Sequence, residues 1–230
     1  MNPGDRSGAG PCLVLFAKPA VPGRVKTRLI GALSARQAAQ LHAAFVGDLS
    51  ARLGAARCAL WSAWALTEDE DPPLELLGAP APPLRQAGAD LGERMHAALR
   101  AAAAAGHDPV AAVGSDHPTL SVERVAEAWR RIDEGADVAI GPATDGGYYL
   151  LACRAAALGP ELFSGVDWST DRVLDQTLER CARSSLRVAL LEPESDVDTP
   201  ADLERLLGEL AAAPGRCPRT ERLLAAWGLA

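Results

Sequence analysis

No run of apolar residues in this 230-residue chain approaches the ~20 that a bilayer-spanning helix needs. The opening MNPGDRSGAGP has no apolar signal core either, so residues 1–10 are expected to be a disordered leader and residues 11–230 a single domain. Cysteines are few and unpaired in pattern: Cys12, Cys58, Cys153, Cys181 and Cys217 are odd in number and form no CxxC or other zinc spacing. Reduced thiols in a cytoplasmic protein are expected. Positive charge is also short, with 23 Lys and Arg against 30 Asp and Glu and a net charge of -7. That balance argues against a nucleic-acid binder, which gains affinity by neutralising a phosphate backbone. The phosphate-binding motif GxxxxGK[ST] is absent too.

What is present begins with Cys12 to Ala17, a continuous apolar run of the kind a buried parallel strand needs. The stretch Phe16 to Leu29, FAKPAVPGRVKTRL, follows directly. It crowds Lys18, Arg24, Lys26 and Arg28 around the flexible Gly23, which suits a small phosphorylated ligand; the plainer reading is a solvated basic loop. Further along, apolar spacing predicts helices over Ser34 to Leu53, Asp90 to Ala105, Ser121 to about Glu134, Ser169 or Thr170 to Arg183, and Thr220 to Trp227. Thr199-Pro200-Ala201-Asp202 combines a cap, a proline at the first helical position and a carboxylate in the first turn. Strands are expected over Arg57 to Leu66, Val110 to Val113, Val138 to Ile140, Tyr148 to Cys153 and Arg187 to Leu191, with loop from Thr67 to Pro83. This alternation predicts an α/β domain with a mostly parallel central sheet flanked by helices. Ligands in such sheets bind beyond the carboxyl ends of the strands.

Three carboxylate-bearing turns fall at such places. Gly114-Ser115-Asp116-His117-Pro118 puts Asp116 at a strand end, where it suits a divalent cation or, equally, a helix-entry turn; His117 reads as structural. GPATDGGYYLL, Gly141 to Leu151, holds both tyrosines of the chain behind a pair of glycines. One tyrosine is expected to line a pocket and the other to be core. DVDTPADL offers Asp198 as a second oxygen ligand and Asp196 as a helix-capping charge, with the choice between them for a metal site left open.

Taken in order, FAKPAVPGRVKTRL, QAGADLGERM (Gln86 to Met95), GSDHPTL, GPATDGGYYLL, VDWST (Val166 to Thr170) and DVDTPADL resemble a bacterial family assigned as glycosyltransferases. That family was formerly a domain of unknown function and is associated with radical-SAM and arsenosugar gene neighbourhoods. It is similar to the nucleotide-diphospho-sugar transferases and more distantly to the phospholactate guanylyltransferases, which share a Lys-(Ser/Thr)-Arg-Leu element. The resemblance spans about Leu13 to Leu207 and implies a GT-A fold. It also implies Mg²⁺ or Mn²⁺ on Asp116 and Asp198. Phe16, Ala17, Lys18, Gly23, Lys26, Arg28 and Ser115 would meet the nucleotide, with Lys18, Lys26 and Arg28 on its phosphates. Gln86, Asp90 and Arg94 would contact base or ribose, and Asp145, Gly146, Gly147 and Tyr148 the acceptor. Lys18, Lys26, Arg28 and Asp116 are thereby the implied catalytic set. The paired Asp-x-Asp of many glycosyltransferases is reduced here to Asp116-His117-Pro118, which is closer to a nucleotidyltransferase pattern. Two enzyme readings therefore stand: glycosyl transfer from a nucleoside-diphosphate sugar to a small acceptor, or transfer of a nucleotide from a triphosphate to a phosphorylated small molecule. A catalytically silent nucleotide-binding module is the third. Partners are expected to be small molecules only, with no nucleic acid or membrane, in a monomer or homodimer.

Overall fold

The computed structural model describes residues 9–229, so residues 1–8 of the expected leader lie outside the described residues. Burial on both faces makes the first strand. β1 (Cys12–Ala17) has every side chain buried, as its unbroken apolar run predicts, and is an interior strand of a sheet that has seven strands among the described residues. The remaining strands are β2 (Ala59–Trp64), β3 (Pro83–Arg85), β4 (Val110–Gly114), β5 (Val138–Pro142), β6 (Tyr148–Cys153) and β7 (Val188–Leu190), in the order β3-β2-β1-β4-β6-β5-β7. All neighbours pair in parallel except that β6 runs against both β4 and β5. The reversed β6 follows β5 by a hairpin whose turn, 143–147, lies at the same edge as the carboxyl ends of the other strands.

Among the described residues six α-helices complete the layers: α1 (Ala35–Leu53), α2 (Leu91–Ala104), α3 (Val122–Asp133), α4 (Val173–Arg183), α5 (Pro200–Ala212) and α6 (Pro218–Ala226). Alternate residues of β1 serve opposite faces. Cys12, Val14 and Phe16 pack with Met95 and Leu99 of α2 and Cys181 of α4, whereas Leu13 and Leu15 pack with Leu49 and Leu53 of α1 and Val125 and Ile132 of α3. A third cluster joins Leu29 and Phe45 to Leu203 and Leu206 of α5 and Leu224 of α6, so the apolar faces of the last two helices are core. Among the described residues no helix is long and apolar enough to cross a membrane.

Caps set the helix starts. Ser34 and Gln37 form a reciprocal capping box on α1, and Thr199 with Asp202 form another on α5. Replacing Ser34 by Ala should cost about 1 kcal/mol and lower Tm by roughly 2–4 °C, measurable by thermal melting of the two proteins side by side.

Several strand ends shift by one or two residues, and three boundaries differ for a physical reason. Pro83, expected to close a loop, instead opens an edge strand over residues 83–85; it has no N–H to offer a ladder and is tolerated at the sheet margin. The helix expected from Ser169 or Thr170 starts at Val173. Ser169 has a left-handed backbone (φ 66°), and the Thr170 hydroxyl donates to the Asp167 carbonyl instead of capping. Last, α6 begins at Pro218, one turn position where a missing N–H costs nothing.

Candidate active site

A cleft of about 880 Å³ opens along the carboxyl edge of the sheet. Most of its lining comes from loops that follow strands. After β1 the chain supplies Lys18 and then the segment to Arg28, pinned by the fully buried Leu29. After β3 come Gln86, whose side-chain amide donates to the Ala63 carbonyl at 3.0 Å, and Asp90, which caps α2 by accepting the Glu93 N–H at 2.8 Å. Arg94 donates from Nε to the Gly88 carbonyl at 3.1 Å. Ser115, Asp116 and His117 follow β4, and the turn after β5 presents Asp145, whose Oδ1 accepts the Gly147 N–H at 2.9 Å. Asp196 and Asp198 follow β7.

At the centre stands Lys26, in a left-handed conformation (φ 47°) with its side chain only 2% exposed. Its ammonium donates to the Val197 carbonyl at 2.8 Å, to Asp198 Oδ1 at 2.8 Å and to Asp116 Oδ1, with the Phe45 ring 5.5 Å away. Three donors thus meet three acceptors. The Val197 N–H in turn donates to the Asp116 carbonyl at 3.0 Å, tying the end of β4 to the segment before α5. Desolvation lowers the Lys26 pKa, but the two carboxylates outweigh it and the net direction is up. For Asp116 desolvation pulls upward, and the Lys26 ammonium overrides it to leave the carboxyl at about 2. Asp116 and Asp198 are 47% and 33% exposed at the side chain, so both reach the cleft.

Two imidazoles lie behind this group. His42 places Nε2 3.0 Å from the Lys18 carbonyl, and burial lowers its pKa. His117 packs against the Tyr149 ring at 5.4 Å, and burial lowers its pKa to about 4, so the ring is neutral near pH 7. Asp196 moves the other way: desolvation, then repulsion from Asp198 and Asp145, raises it to about 6.

Of the residues singled out in the sequence, Phe16, Ala17, Lys18, Lys26, Arg28, Gln86, Asp90, Arg94, Ser115, Asp116, Asp145, Gly147, Tyr148 and Asp198 all line this cleft. Gly23 and Gly146 do not; each holds a turn at positive φ. Arg24 pairs with Glu70 at 2.6 Å on the rim. Lys18 and Arg28 are exposed and, among the described residues, have no ion pair. Tyr149 is the core tyrosine, donating to the Glu192 carbonyl at 3.1 Å, while Tyr148 stands edge-on to Trp168 with ring centres 6.4 Å apart. Sequence reading missed His42, Trp168 and Asp171, all on the cleft wall. Asp196, offered as a capping charge or as an alternative metal carboxylate, lines the cleft and is not the cap of α5; Thr199 and Asp202 are. Only Trp168 left a trace, in the VDWST segment.

The carboxylates suit a hard divalent cation. Asp116 and Asp198 each give Oδ1 to Lys26 and leave Oδ2 without a donor among the described residues. Among the described residues no three Asp, Glu, His or Cys side chains gather into a fuller ligand set. A pair of carboxylates is the protein share that Mg²⁺ takes when phosphate oxygens and water supply the rest.

The family model described as "Uncharacterized protein conserved in bacteria (DUF2064)" matches residues 49–170, more than half of the 230. The chain belongs to this family. A structure from Desulfovibrio desulfuricans G20, named as a candidate nucleotide-diphospho-sugar transferase, superposes with a TM-score of 0.88 at 35% identity, over 94% of each chain. Two more distant structures share the fold. A cytidylyltransferase from Leptospira borgpetersenii has a TM-score of 0.60 at 13% identity, over 96% of this chain and 94% of that one. A nucleotidyl transferase from Methanothermobacter has a TM-score of 0.59 at 18% identity, over 89% and 98%. No curated protein matches the chain. The family member's fold is thus α/β of the GT-A type, a seven-stranded, mostly parallel sheet flanked by helices.

Proposed function

We propose that this protein is a metal-dependent transferase acting on an activated nucleotide, with glycosyl transfer from a nucleoside-diphosphate sugar to a small-molecule acceptor as its reaction. The observation that carries the reading is the meeting of Asp116 and Asp198, from two separate strand ends, in a cleft that also presents the unpaired cations Lys18 and Arg28. Mg²⁺ or Mn²⁺, when held by the two aspartates, supplies positive charge against a departing diphosphate. Lys18 and Arg28 bind the outer phosphate oxygens, a task for which exposed cations on a strand-end loop are suited. Gln86, Asp90 and Arg94 border the base and ribose. Asp145 and Tyr148, with Trp168 beside them, bound the acceptor side. The 35%-identical Desulfovibrio protein, named for nucleotide-diphospho-sugar transfer, favours glycosyl chemistry.

The nucleotidyl reading is favoured by a different feature: a lone aspartate in Asp116-His117-Pro118, completed by Asp198 from a distant segment instead of by a neighbouring aspartate. In that case the same cations neutralise pyrophosphate as it leaves, and a phosphorylated substrate attacks the α-phosphate. All five thiols are unpaired, which suits a reducing, cytoplasmic setting.

A ligand panel separates the two. With Mg²⁺ present, a sugar nucleotide at about 100 times its Kd should stabilise the fold by roughly 2.7 kcal/mol, read as a rise in melting temperature. Stabilisation by nucleoside triphosphates alone would remove the glycosyl reading, and binding without turnover of any donor and acceptor pair would leave a silent module.

A further inference from the structure

The ammonium of Lys26 occupies the inner side of the carboxylate pair. All three of its hydrogens are engaged, by Asp116 Oδ1, Asp198 Oδ1 and the Val197 carbonyl, so none remains for a phosphate. Nor is the side chain free to leave. Its stem is buried, the Phe45 ring lies 5.5 Å from the charge, and Leu29 anchors the chain three residues on. Two negative charges held against one positive charge leave a net of one negative. That is a weaker attraction than the pair without the ammonium would offer a divalent cation, which gives up its water reluctantly.

We propose that Lys26 is a positioning residue, the built-in counter-ion of the Asp116–Asp198 pair, and that it restricts the pair to a divalent cation arriving with the phosphates of a nucleotide. The inference rests on the metal reading above. In place of touching phosphate, Lys26 fixes the separation of two carboxylates that would otherwise repel, and partly neutralises them until the ligand brings its own negative charge. Phosphate contact passes to Lys18 and Arg28, which are exposed at the same mouth. Free cation is thereby kept out of an empty site.

The test uses the full chain and Mn²⁺ as probe, following the free-ion paramagnetic resonance signal and the melting temperature. Wild type should bind Mn²⁺ poorly alone, yet gain more stability from a sugar nucleotide or triphosphate when Mn²⁺ is present. Lys26→Met should bind Mn²⁺ without nucleotide on the order of ten- to a hundredfold more tightly than wild type, and Asp116→Asn in that background should cancel the gain. A residue with a merely structural role would give no such gain. If Lys26→Met does not fold, Lys26→Gln, which retains an N–H for the Val197 carbonyl, takes its place. Tight Mn²⁺ binding by wild type without nucleotide, or no gain on removing the ammonium, overturns the inference while leaving the metal site in place. A nucleotide-induced stabilisation indifferent both to Mn²⁺ and to Asp116→Asn overturns the metal reading itself.

Discussion

Asp116→Asn is expected to yield a folded protein whose turnover falls roughly 100- to 1,000-fold, the scale of removing one well-placed electrostatic contact from a transition state. The fold should survive because Lys26 keeps its bonds to Asp198 and the Val197 carbonyl, and because the Asp116 carbonyl still accepts the Val197 N–H. What disappears is one of two anionic oxygens that face the cleft. Nucleotide stabilisation that depends on the cation should disappear with it. Circular dichroism, melting with and without nucleotide, and turnover on the same preparation decide the matter. Activity within a few-fold of wild type would remove Asp116 from the chemistry.

Gly146→Ala should do harm of another kind. Gly146 sits at φ 90°, where an L side chain is strained, and a Cβ there would press into the backbone carbonyl of Asp171. The turn is also tied on both sides: the Leu174 N–H donates to the Gly146 carbonyl at 2.9 Å and the Thr144 N–H to the Glu194 carbonyl at 3.1 Å. Displacing it must move Asp145 on one side and the Trp168–Asp171 wall on the other. A stability loss of about 1–3 kcal/mol is expected from the overpacking. The functional loss should fall on the acceptor, about tenfold or more in kcat/KM, with the nucleotide-induced rise in Tm retained. Equal loss of nucleotide and acceptor binding would show that the turn does not serve the acceptor side alone.

How much of this was legible beforehand follows from how local each determinant is. The bounds of β1 and β6 agree with the reading because strands buried on both faces are written as unbroken apolar runs. Asp116 and Asp198 were placed by nearby signals, a strand end for one and a capped proline start for the other. The acceptors of Lys26 were not legible, since a basic loop says nothing about carboxylates that lie far along the chain. His42 was hidden for another reason: it stands among Leu41, Phe45 and other core residues of an ordinary amphipathic helix, where one polar residue leaves the apolar stripe intact. Edge strand β3, three residues with a proline, carries too little pattern to be seen. The late start of α4 turned on the left-handed backbone at Ser169, which composition does not encode.

The reversed direction of β6 has a practical corollary. By folding the β5–β6 turn back to the edge where β1, β3, β4, β5 and β7 end, it leaves the opposite edge of the sheet free of cleft residues. The described chain starts at that opposite edge, where the Ala9 N–H donates to the Gly106 carbonyl at 3.0 Å and β1 then leads away toward the site. A fluorescent reporter placed at position 9 itself would therefore sit about a strand length from the residues that line the cleft.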